Sequence, residues 1–332
     1  MPAQNLADLL FPARDASFGP LVSALSEPPN GPHADNLVSN EDSYPRVAGE
    51  IDRRAPKDCV YLGVGPDQNF TLIAHTRPKL AFVVDYRRRN LLLHLIHKAF
   101  LSLGADRTAY LTRLTARRPE RLPPNPTAAE LVAAFTHVPL DRGLLEKTTD
   151  EVAAALRPCG LVRDEEWAEL ATIQAKLAGP GMNARFLALT MYPTFGRLIQ
   201  TPDRDGKPAH FLAREELYQS VRALQLGDRL LPLTGDFAGP TALPRLADWL
   251  RGHRLTVGVV YVSDVEFFLR RSGKFDAYVA NLGRLPWAEG AVLVRTSTRE
   301  IDHPERVPGD SATTLVRPVA AFVAEPQGEL FR

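Results

Sequence analysis

The sequence has little cysteine, no excess of either charge and no long apolar run, and each absence narrows the possible roles of the protein. Cys59 and Cys159 are its only cysteines, so at most one disulfide can form and no zinc-binding cysteine pattern is present. The 40 Lys and Arg residues nearly balance the 39 Asp and Glu residues. The resulting net charge of +1 gives no support for binding nucleic acid or a membrane surface. No apolar stretch approaches the roughly 20 residues of a membrane span.

These absences also bear on location and partners. The start of the chain, MPAQNLADLLFPARDASFG, lacks the basic start and apolar segment that are typical of a signal peptide. Two isolated cysteines fit a reducing compartment. We therefore expect a cytoplasmic protein whose partner is a small molecule rather than nucleic acid or a membrane. The oligomeric state stays open.

Several functional motifs are missing as well. The sequence contains no G-x-S-x-G nucleophile turn and no P-loop lysine motif, so neither a serine hydrolase nor a nucleoside triphosphatase is indicated. His94 and His97 are three residues apart on one predicted helix and share a face of it. No third ligand is grouped with them, so we predict a packed or partly exposed pair and no metal site.

The clearest pattern present is a strand–turn–helix–strand–helix order over residues 57–104. The apolar runs DCVYLGVG and LAFVVD predict two strands, TLIAHT predicts a helix that ends before Pro78, and residues 87–104 predict a longer helix. Because both strands are apolar almost throughout, we expect parallel strands that helices cover on both faces.

We divide the chain into three parts. Residues 1–56 are predicted to form an N-terminal arm, with a short helix near 4–10, loops after it and a second short helix over 46–54. Residues 57–104 and 229–332 are predicted to form a Rossmann-like cofactor-binding domain, and residues 105–228 a mainly helical insertion or cap. The fold class is α/β, a Rossmann-like, doubly wound and mostly parallel sheet with a large helical insertion after the second strand.

Further elements are expected in the second and third of these parts. The later strands are predicted at 229–236, 255–264 and 290–297, with one more within 313–325. The helices of the insertion are predicted at 106–117, 127–137, 141–157, 164–178, 183–200 and 211–225.

The turn after the first predicted strand, Gly63-Val64-Gly65, is typical of loops that bind a nucleotide-like cofactor. Glycines there allow close approach of the backbone, and Asp85 at the end of the next strand can accept hydrogen bonds from both ribose hydroxyls. NAD and S-adenosylmethionine share this geometry. Gln68 stands where a dinucleotide site has its third glycine, and Asp67 would repel a pyrophosphate but suit a cationic ligand. These two residues favour S-adenosylmethionine.

A different cofactor is favoured by the arginine run Arg87, Arg88 and Arg89. Arginines after the second strand select the 2′-phosphate of NADP in related folds, although the same run also suits a solvated helix start. An NAD(P)-dependent oxidoreductase is therefore an alternative. A non-catalytic ligand-binding module with a retained Rossmann fold is another, because no known catalytic motif is present.

On these motifs the chain resembles class I S-adenosylmethionine-dependent methyltransferases. Gly63 and Gly65 match the family's glycine-rich loop, and Asp85 matches its ribose-binding acid. More closely, the chain is similar to a bacterial family of uncharacterised methyltransferase-like proteins. That similarity runs through LVSNEDSYPRV, VYLGVGPDQNFTLIA, FVVDYRRRNLLLHLIHKAF, LTGDFAGPTAL and VVYVSDVEFFL.

The resemblance implies an S-adenosylmethionine-binding transferase that acts on a small molecule. Its general base would be Asp264 or Glu266, after the fourth strand. Its cofactor contacts would come from the strand ends and from a polar N-terminal segment that also includes Asp42: Asn40, Glu41, Tyr44, Gly63, Gly65, Asp67, Asp85, Tyr86, Asp236, Phe237 and Ser263. The N-terminal segment suits a capping loop without ligand contact equally well. The aromatic segment from Tyr192 through Pro193 and Thr194 to Phe195 either lines a substrate pocket or packs in the core.

Overall fold

The protein is built on one six-stranded sheet in a computed structural model that describes residues 14–29, 36–297 and 300–326. The strands are Val60–Gly63 (β1), Leu80–Asp85 (β2), Leu230–Thr234 (β3), Val257–Tyr261 (β4), Trp287–Ser297 (β5) and Thr313–Pro318 (β6). They lie in the order β3-β2-β1-β4-β5-β6, with every neighbouring pair parallel except β5 and β6. The expectation of an α/β fold with a mostly parallel sheet is confirmed.

The strands form where the sequence is apolar over several consecutive residues. Every residue of β1 to β4 is buried, as expected for parallel strands that are covered on both faces. The chain starts at β1 in the middle of the sheet, moves outward to β2 and β3, and then returns to the other side of β1 with β4. A reversal of this kind leaves a crevice beyond the carboxyl ends of the central strands.

Fourteen α-helices lie within the described residues. They are Arg14–Leu25 (α1), Ala48–Arg54 (α2), Gln68–Thr76 (α3), Arg88–Leu103 (α4), Arg107–Thr115 (α5), Ala128–Thr136 (α6), Arg142–Leu156 (α7), Trp167–Ala178 (α8), Phe195–Gln200 (α9), Glu215–Leu226 (α10), Ala242–Gly252 (α11), Val265–Arg271 (α12), Phe275–Gly283 (α13) and Val319–Ala324 (α14). Helix α4 packs against β2 and β3 on one side and against α7, α8 and α10 on the other. The apolar core therefore runs without a break from the sheet into the helices between β2 and β3. The division into three parts stays a prediction.

Most predicted elements are confirmed with ends that differ by a few residues, but the helix over 183–200 is wrong. That stretch begins at the last residue of a 3₁₀ turn, Gly181–Asn183, and contains a second 3₁₀ turn, Phe186–Ala188, a loop and only the six residues of α9. Leu187 and Ala188 have φ of 49° and 56°, which no α-helix tolerates. Pro193 then lacks the N–H that a continuing helix needs.

The N-terminal arm also differs from expectation. The helix predicted near 4–10 lies outside the described residues, and the region predicted to be loop contains α1. Phe18, Val22 and Leu25 of α1 are buried, with the spacing of one helix face, and α1 packs on β3. Their burial outweighs the cost of Pro20 within the helix. Within the ranges given above, no helix combines the length and the apolar character that a membrane span requires.

Candidate functional site

A cavity of about 490 Å³ lies at the carboxyl ends of β1 to β4. Its volume is within the roughly 300–1,000 Å³ range of small-molecule sites. The residues that follow these four strands all line it, because the carboxyl ends of parallel strands meet at one edge of a sheet: Val64, Gly65, Asp85, Tyr86, Gly235, Asp236, Phe237, Ser263 and Asp264. Seven of the residues that we predicted from sequence are among them, and Asn40 also lines the cavity.

The glycine turn is held in place by Asn69. The two N–H groups of the Asn69 side-chain amide are shared among the carbonyl oxygens of Val64, Gly65 and Pro66, which lie 2.9, 3.1 and 2.9 Å from Nδ2. A Cβ atom on Gly63 would lie 1.9 Å from Asn69 Oδ1, and Gly65 has φ of +86°. Both glycines are therefore required by the backbone, and three successive carbonyl groups of the turn face the protein interior.

Asp85 at the end of β2 is already partnered by a neighbouring arginine. The backbone N–H of Arg87 donates to Asp85 Oδ1 at 2.9 Å, and Arg87 Nη1 lies 3.3 Å from both carboxylate oxygens. Burial raises the pKa of Asp85, and the Arg87 guanidinium opposes that rise. The same guanidinium lies 4.4 Å from the centre of the Tyr86 ring. Asp85, Tyr86 and Arg87 thus form one charged and aromatic wall of the cavity.

The other two arginines of this run face away from the cavity. Arg88 makes a bidentate ion pair with Glu166, with both N–O distances 2.8 Å. Arg89 Nε lies 3.7 Å from Glu169 Oε1. These ion pairs fasten the start of α4 to the region of α8, so Arg88 and Arg89 serve packing between helices.

The loop after β3 is braced from two distant parts of the chain. The Glu27 carboxylate accepts hydrogen bonds from the backbone N–H of Asp236 at 2.7 Å and of Ala242 at 3.0 Å. Lys274 Nζ lies 3.3 Å from Asp236 Oδ2. Sequence reasoning missed Glu27 and Lys274, since no local pattern marks either residue.

Ser263, after β4, has a strained backbone. Its φ is +53°, a left-handed conformation that is uncommon for a residue with a side chain and occurs often at functional sites. Its carbonyl oxygen accepts from the Thr296 N–H at 2.9 Å, and its hydroxyl donates to the Glu41 carboxylate. The next residue, Asp264, accepts a hydrogen bond from the Asn40 amide at 3.1 Å, and burial raises its pKa. The strained turn therefore presents a partly exposed carboxylate to the cavity.

Glu41 lies one layer below this carboxylate and does not line the cavity. It accepts hydrogen bonds from the hydroxyls of Tyr261 and Thr296, both at 2.8 Å, as well as from Ser263. Burial, and then the nearby charge of Asp264, raise the pKa of Glu41 to about 7. Glu41 and Asp264 are thus two acidic groups that both contact the Ser263 hydroxyl.

Four other predicted site residues also lie away from the cavity lining. Tyr44 is completely buried, Gly63 packs against Asn69, and Asp67 lies beneath the glycine turn. The Glu266 carboxylate is paired with Arg295 Nε at 2.8 Å and accepts from the Tyr278 hydroxyl at 2.9 Å. The position of Glu266 one step into α12 turns its side chain toward β5 rather than toward the cavity. Its role as a general base stays a prediction.

The two histidines of α4 support the glycine turn. His94 Nε2 donates to the carbonyl oxygen of Gly65 at 2.9 Å, and His97 Nδ1 lies 2.8 Å from the Tyr110 hydroxyl. Burial lowers the pKa of His94 to about 4 and that of His97 to about 3, so both are neutral at pH 7. Among the described residues, no group of three or more His, Cys, Asp and Glu side chains is arranged to hold a metal.

A loop that sequence reasoning had assigned to a helix forms another wall. The N–H of Phe195 donates to the Ala184 carbonyl at 2.8 Å and closes the loop at its base. Phe186 and Tyr192 line the cavity, with their rings edge to face and 4.9 Å between centres. This aromatic segment was predicted either to line a pocket or to pack in the core. Tyr192 lines the pocket, whereas Phe195 packs in the core and is 4% exposed. The aromatic residues around Pro193 were the signal that could have identified this loop.

Asp67 gives a test of how burial affects this region. Neither oxygen of its carboxylate has a well-formed hydrogen bond from the described residues, and burial raises its pKa from 3.8 to about 7. The folded state therefore keeps this proton to higher pH than the unfolded chain does. The contribution of Asp67 to stability is greatest below about pH 4 and falls as the pH rises to about 7.

We expect Asp67→Asn to remove this loss. The variant should be more stable than the wild type by about 1–3 kcal/mol at pH 8, with a smaller difference at pH 5. Urea unfolding of both proteins at the two pH values measures the effect. An equal difference at pH 5 and pH 8 would show that Asp67 is not buried in a charged form.

The chain matches a known protein family over most of its length. A family model described as Domain of unknown function (DUF7790) matches residues 36–122 and 179–325. Every residue that lines the cavity falls within these two ranges, whereas residues 123–178 contribute none. A search of curated proteins finds no match.

Proposed function

The chain belongs to the family described as Domain of unknown function (DUF7790), whose description carries no activity, and we propose from the site that the protein is an S-adenosylmethionine-binding, methyltransferase-like enzyme acting on a small molecule. The observation that carries the proposal is the set of three carboxylates at successive strand ends. Asp85, Asp236 and Asp264 follow β2, β3 and β4 and line one cavity. S-adenosylmethionine offers a ribose diol, an adenine amino group, an ammonium and a sulfonium, and each of these donates a hydrogen bond or carries positive charge.

The residues present fit these donor and cationic groups of the ligand. Asp85 would accept from the ribose hydroxyls, in keeping with the position of such acids after the second strand. Asp236 would accept from the adenine amino group, with Tyr86 and Phe237 beside the base. Gln68 lines the cavity next to Gly65, and its buried Oε1 lacks a hydrogen-bond partner among the described residues. An ammonium group would supply that partner.

The glycine turn supports this cofactor over a dinucleotide. A pyrophosphate site needs backbone N–H groups and little negative charge. Here the buried Asp67 carboxyl group follows two residues after Gly65 and adds negative charge when it ionises. Arg88 and Arg89 are engaged by Glu166 and Glu169, which leaves Arg87 as the one arginine of the run that lines the cavity. These observations weaken the NAD(P) alternative.

When bound, the cofactor supplies an electrophilic methyl group. The chain's own part is to orient the acceptor and to take its proton. Asp264 would accept the proton of an acceptor hydroxyl or amine, and the raised pKa of this carboxyl makes it a stronger base near neutral pH. The Asn40 amide donates to the carboxylate and orients it.

We also propose that the sheet belongs to a Rossmann-like fold. The strand order and the crevice beyond β1 to β4 support it, and the helices between β2 and β3 would then be the insertion or cap. We propose a cytoplasmic location on the basis of the free thiols of Cys59 and Cys159.

Calorimetric titration tests the cofactor directly. We expect S-adenosylmethionine and S-adenosylhomocysteine each to bind at one site per chain, and NADH and NADPH to give no heat beyond dilution. Tight binding of NADPH with no response to either sulfur ligand would replace the proposal with the oxidoreductase alternative. No response to any of the four would favour a non-catalytic module for a different ligand.

A further inference from the structure

The cavity has an aromatic wall that the proposed cofactor contacts do not use. We propose that this wall, Phe186 and Tyr192 of the loop 185–194, binds the flat apolar body of a neutral or cationic acceptor whose hydroxyl or amine faces Asp264. The identification of the ligand as a methyl acceptor rests on the proposed function, whereas the aromatic wall is a feature of the loop itself.

The loop is rigidly built. Its ends are joined by the hydrogen bond from Phe195 to Ala184, and Arg185 Nη1 donates to the carbonyl oxygens of Thr190 and Tyr192 at 3.2 and 2.5 Å. Compact loops of this type, closed at the base and packed by their own side chains, are frequently functional. The internal bonds hold the Phe186 and Tyr192 rings in a fixed edge-to-face pair, which is the preformed aromatic surface that a flat ligand needs.

The cavity also has an exposed apolar side chain. Phe268 on α12 lines the cavity and is 58% exposed, and the loop that carries Phe186 and Tyr192 has three further exposed apolar residues, Leu187, Leu189 and Met191, at 43%, 46% and 56%. Exposed apolar side chains that occur together mark ligand grooves and other interaction sites. An apolar ligand body that extends from the aromatic wall to Phe268 would cover that ring.

The charges of the site disfavour an anionic acceptor. Among the described residues that line the cavity, the cations are Arg87 and Lys274, and these pair with Asp85 and Asp236. The Asp264 carboxylate is bonded to the neutral amide of Asn40, and Arg87, which is near enough to act on its charge, is paired with Asp85. A phosphate or carboxylate here would meet the Asp264 charge with no unpaired cation to bind it, whereas a protic nucleophile would meet a base.

The neutral fluorophore N-phenyl-1-naphthylamine tests the wall, because its emission rises in an apolar site. We expect it to bind the full chain at one site, and saturating S-adenosylhomocysteine to change its affinity less than twofold. Phe186→Ser and Phe268→Ser should each weaken its binding about tenfold or more, since an aromatic contact with the probe is lost. Val323→Ser, at a residue of α14 that is also 58% exposed, is the matched control and should stay within twofold of the wild type.

The outcomes separate the two proposals. Thermal unfolding of each variant checks its fold, and Phe268→Ser alters an exposed side chain that the core does not need. Absence of naphthylamine binding, equal effects of all three substitutions, or displacement by S-adenosylhomocysteine would overturn the aromatic wall while leaving the cofactor proposal in place. Intact naphthylamine binding without any S-adenosylhomocysteine binding would overturn the cofactor proposal instead.

Discussion

Arg295→Met is expected to lower the free energy of unfolding by about 3–5 kcal/mol, because it leaves the carboxylate of Glu266 buried without its cation. The two side chains are 4% and 2% exposed and joined at 2.8 Å. Arg295 also lies over the Phe322 ring, 5.2 Å from its centre, so the ion pair connects β5, α12 and α14. Urea unfolding at pH 7 measures the loss.

Two controls isolate the charge effect. The double variant Glu266→Gln with Arg295→Met removes both charges but keeps an acceptor for the Tyr278 hydroxyl, so we expect it to recover most of the lost stability. Arg53→Met breaks an exposed pair, Arg53 with Asp205 at 3.0 Å, and should change stability by less than about 1 kcal/mol. A similar small effect of Arg53→Met and Arg295→Met would mean that Glu266 is not held by Arg295, and would return Glu266 to the candidates for general base.

Asp85→Ala is expected to weaken binding of S-adenosylhomocysteine by about 10- to 100-fold, measured by calorimetry. Hydrogen bonds to a charged group contribute about 1.5–3 kcal/mol each, which corresponds to this range of affinity. The substitution also leaves the Arg87 guanidinium in the cavity wall without its carboxylate partner. Asp85→Asn keeps one acceptor oxygen and should have an intermediate effect.

Asp150→Ala provides the matched control, since Asp150 is an exposed residue of α7 and lies outside the cavity. Its affinity for S-adenosylhomocysteine should equal that of the wild type. Thermal unfolding of Asp85→Ala separates loss of the fold from loss of binding. A folded Asp85→Ala protein with unchanged affinity would remove the ribose assignment and with it the main support for the cofactor.

The central part of the site was predictable because its signals are local. An apolar run that ends in Gly63-Val64-Gly65 specifies a strand and a tight turn, and a second apolar run that ends in Asp85 specifies the neighbouring strand end. Asp236 and Asp264 were predictable for the same reason, since each follows an apolar run and parallel strands end at one edge. These four positions need no knowledge of distant contacts.

Other parts of the site depend on residues far apart in the chain. Glu41 and Glu266 are of a residue type that is common in functional sites. The hydroxyls of Tyr261, Ser263 and Thr296 donate to the Glu41 carboxylate, however, and Arg295 pairs with the Glu266 carboxylate. Whether a carboxylate faces a cavity or the core depends on such partners. The residues next to Glu41 and Glu266 in the sequence do not reveal these partners.

The local sequence also failed to predict the aromatic loop. Residues 183–200 carry a helix-like apolar pattern, yet Gly179-Pro180-Gly181 before it and Pro193 within it interrupt the backbone hydrogen bonds, and the segment closes as a loop through Ala184 and Phe195. Secondary structure depends on sequence patterns that repeat over a few residues. The α/β class, the glycine turn and the acidic strand ends therefore follow from the sequence. Which side chains are desolvated and paired depends on contacts between distant segments, and for that reason only the folded chain separates Asp264 from Glu266 and brings Phe186 and Tyr192 to the cavity.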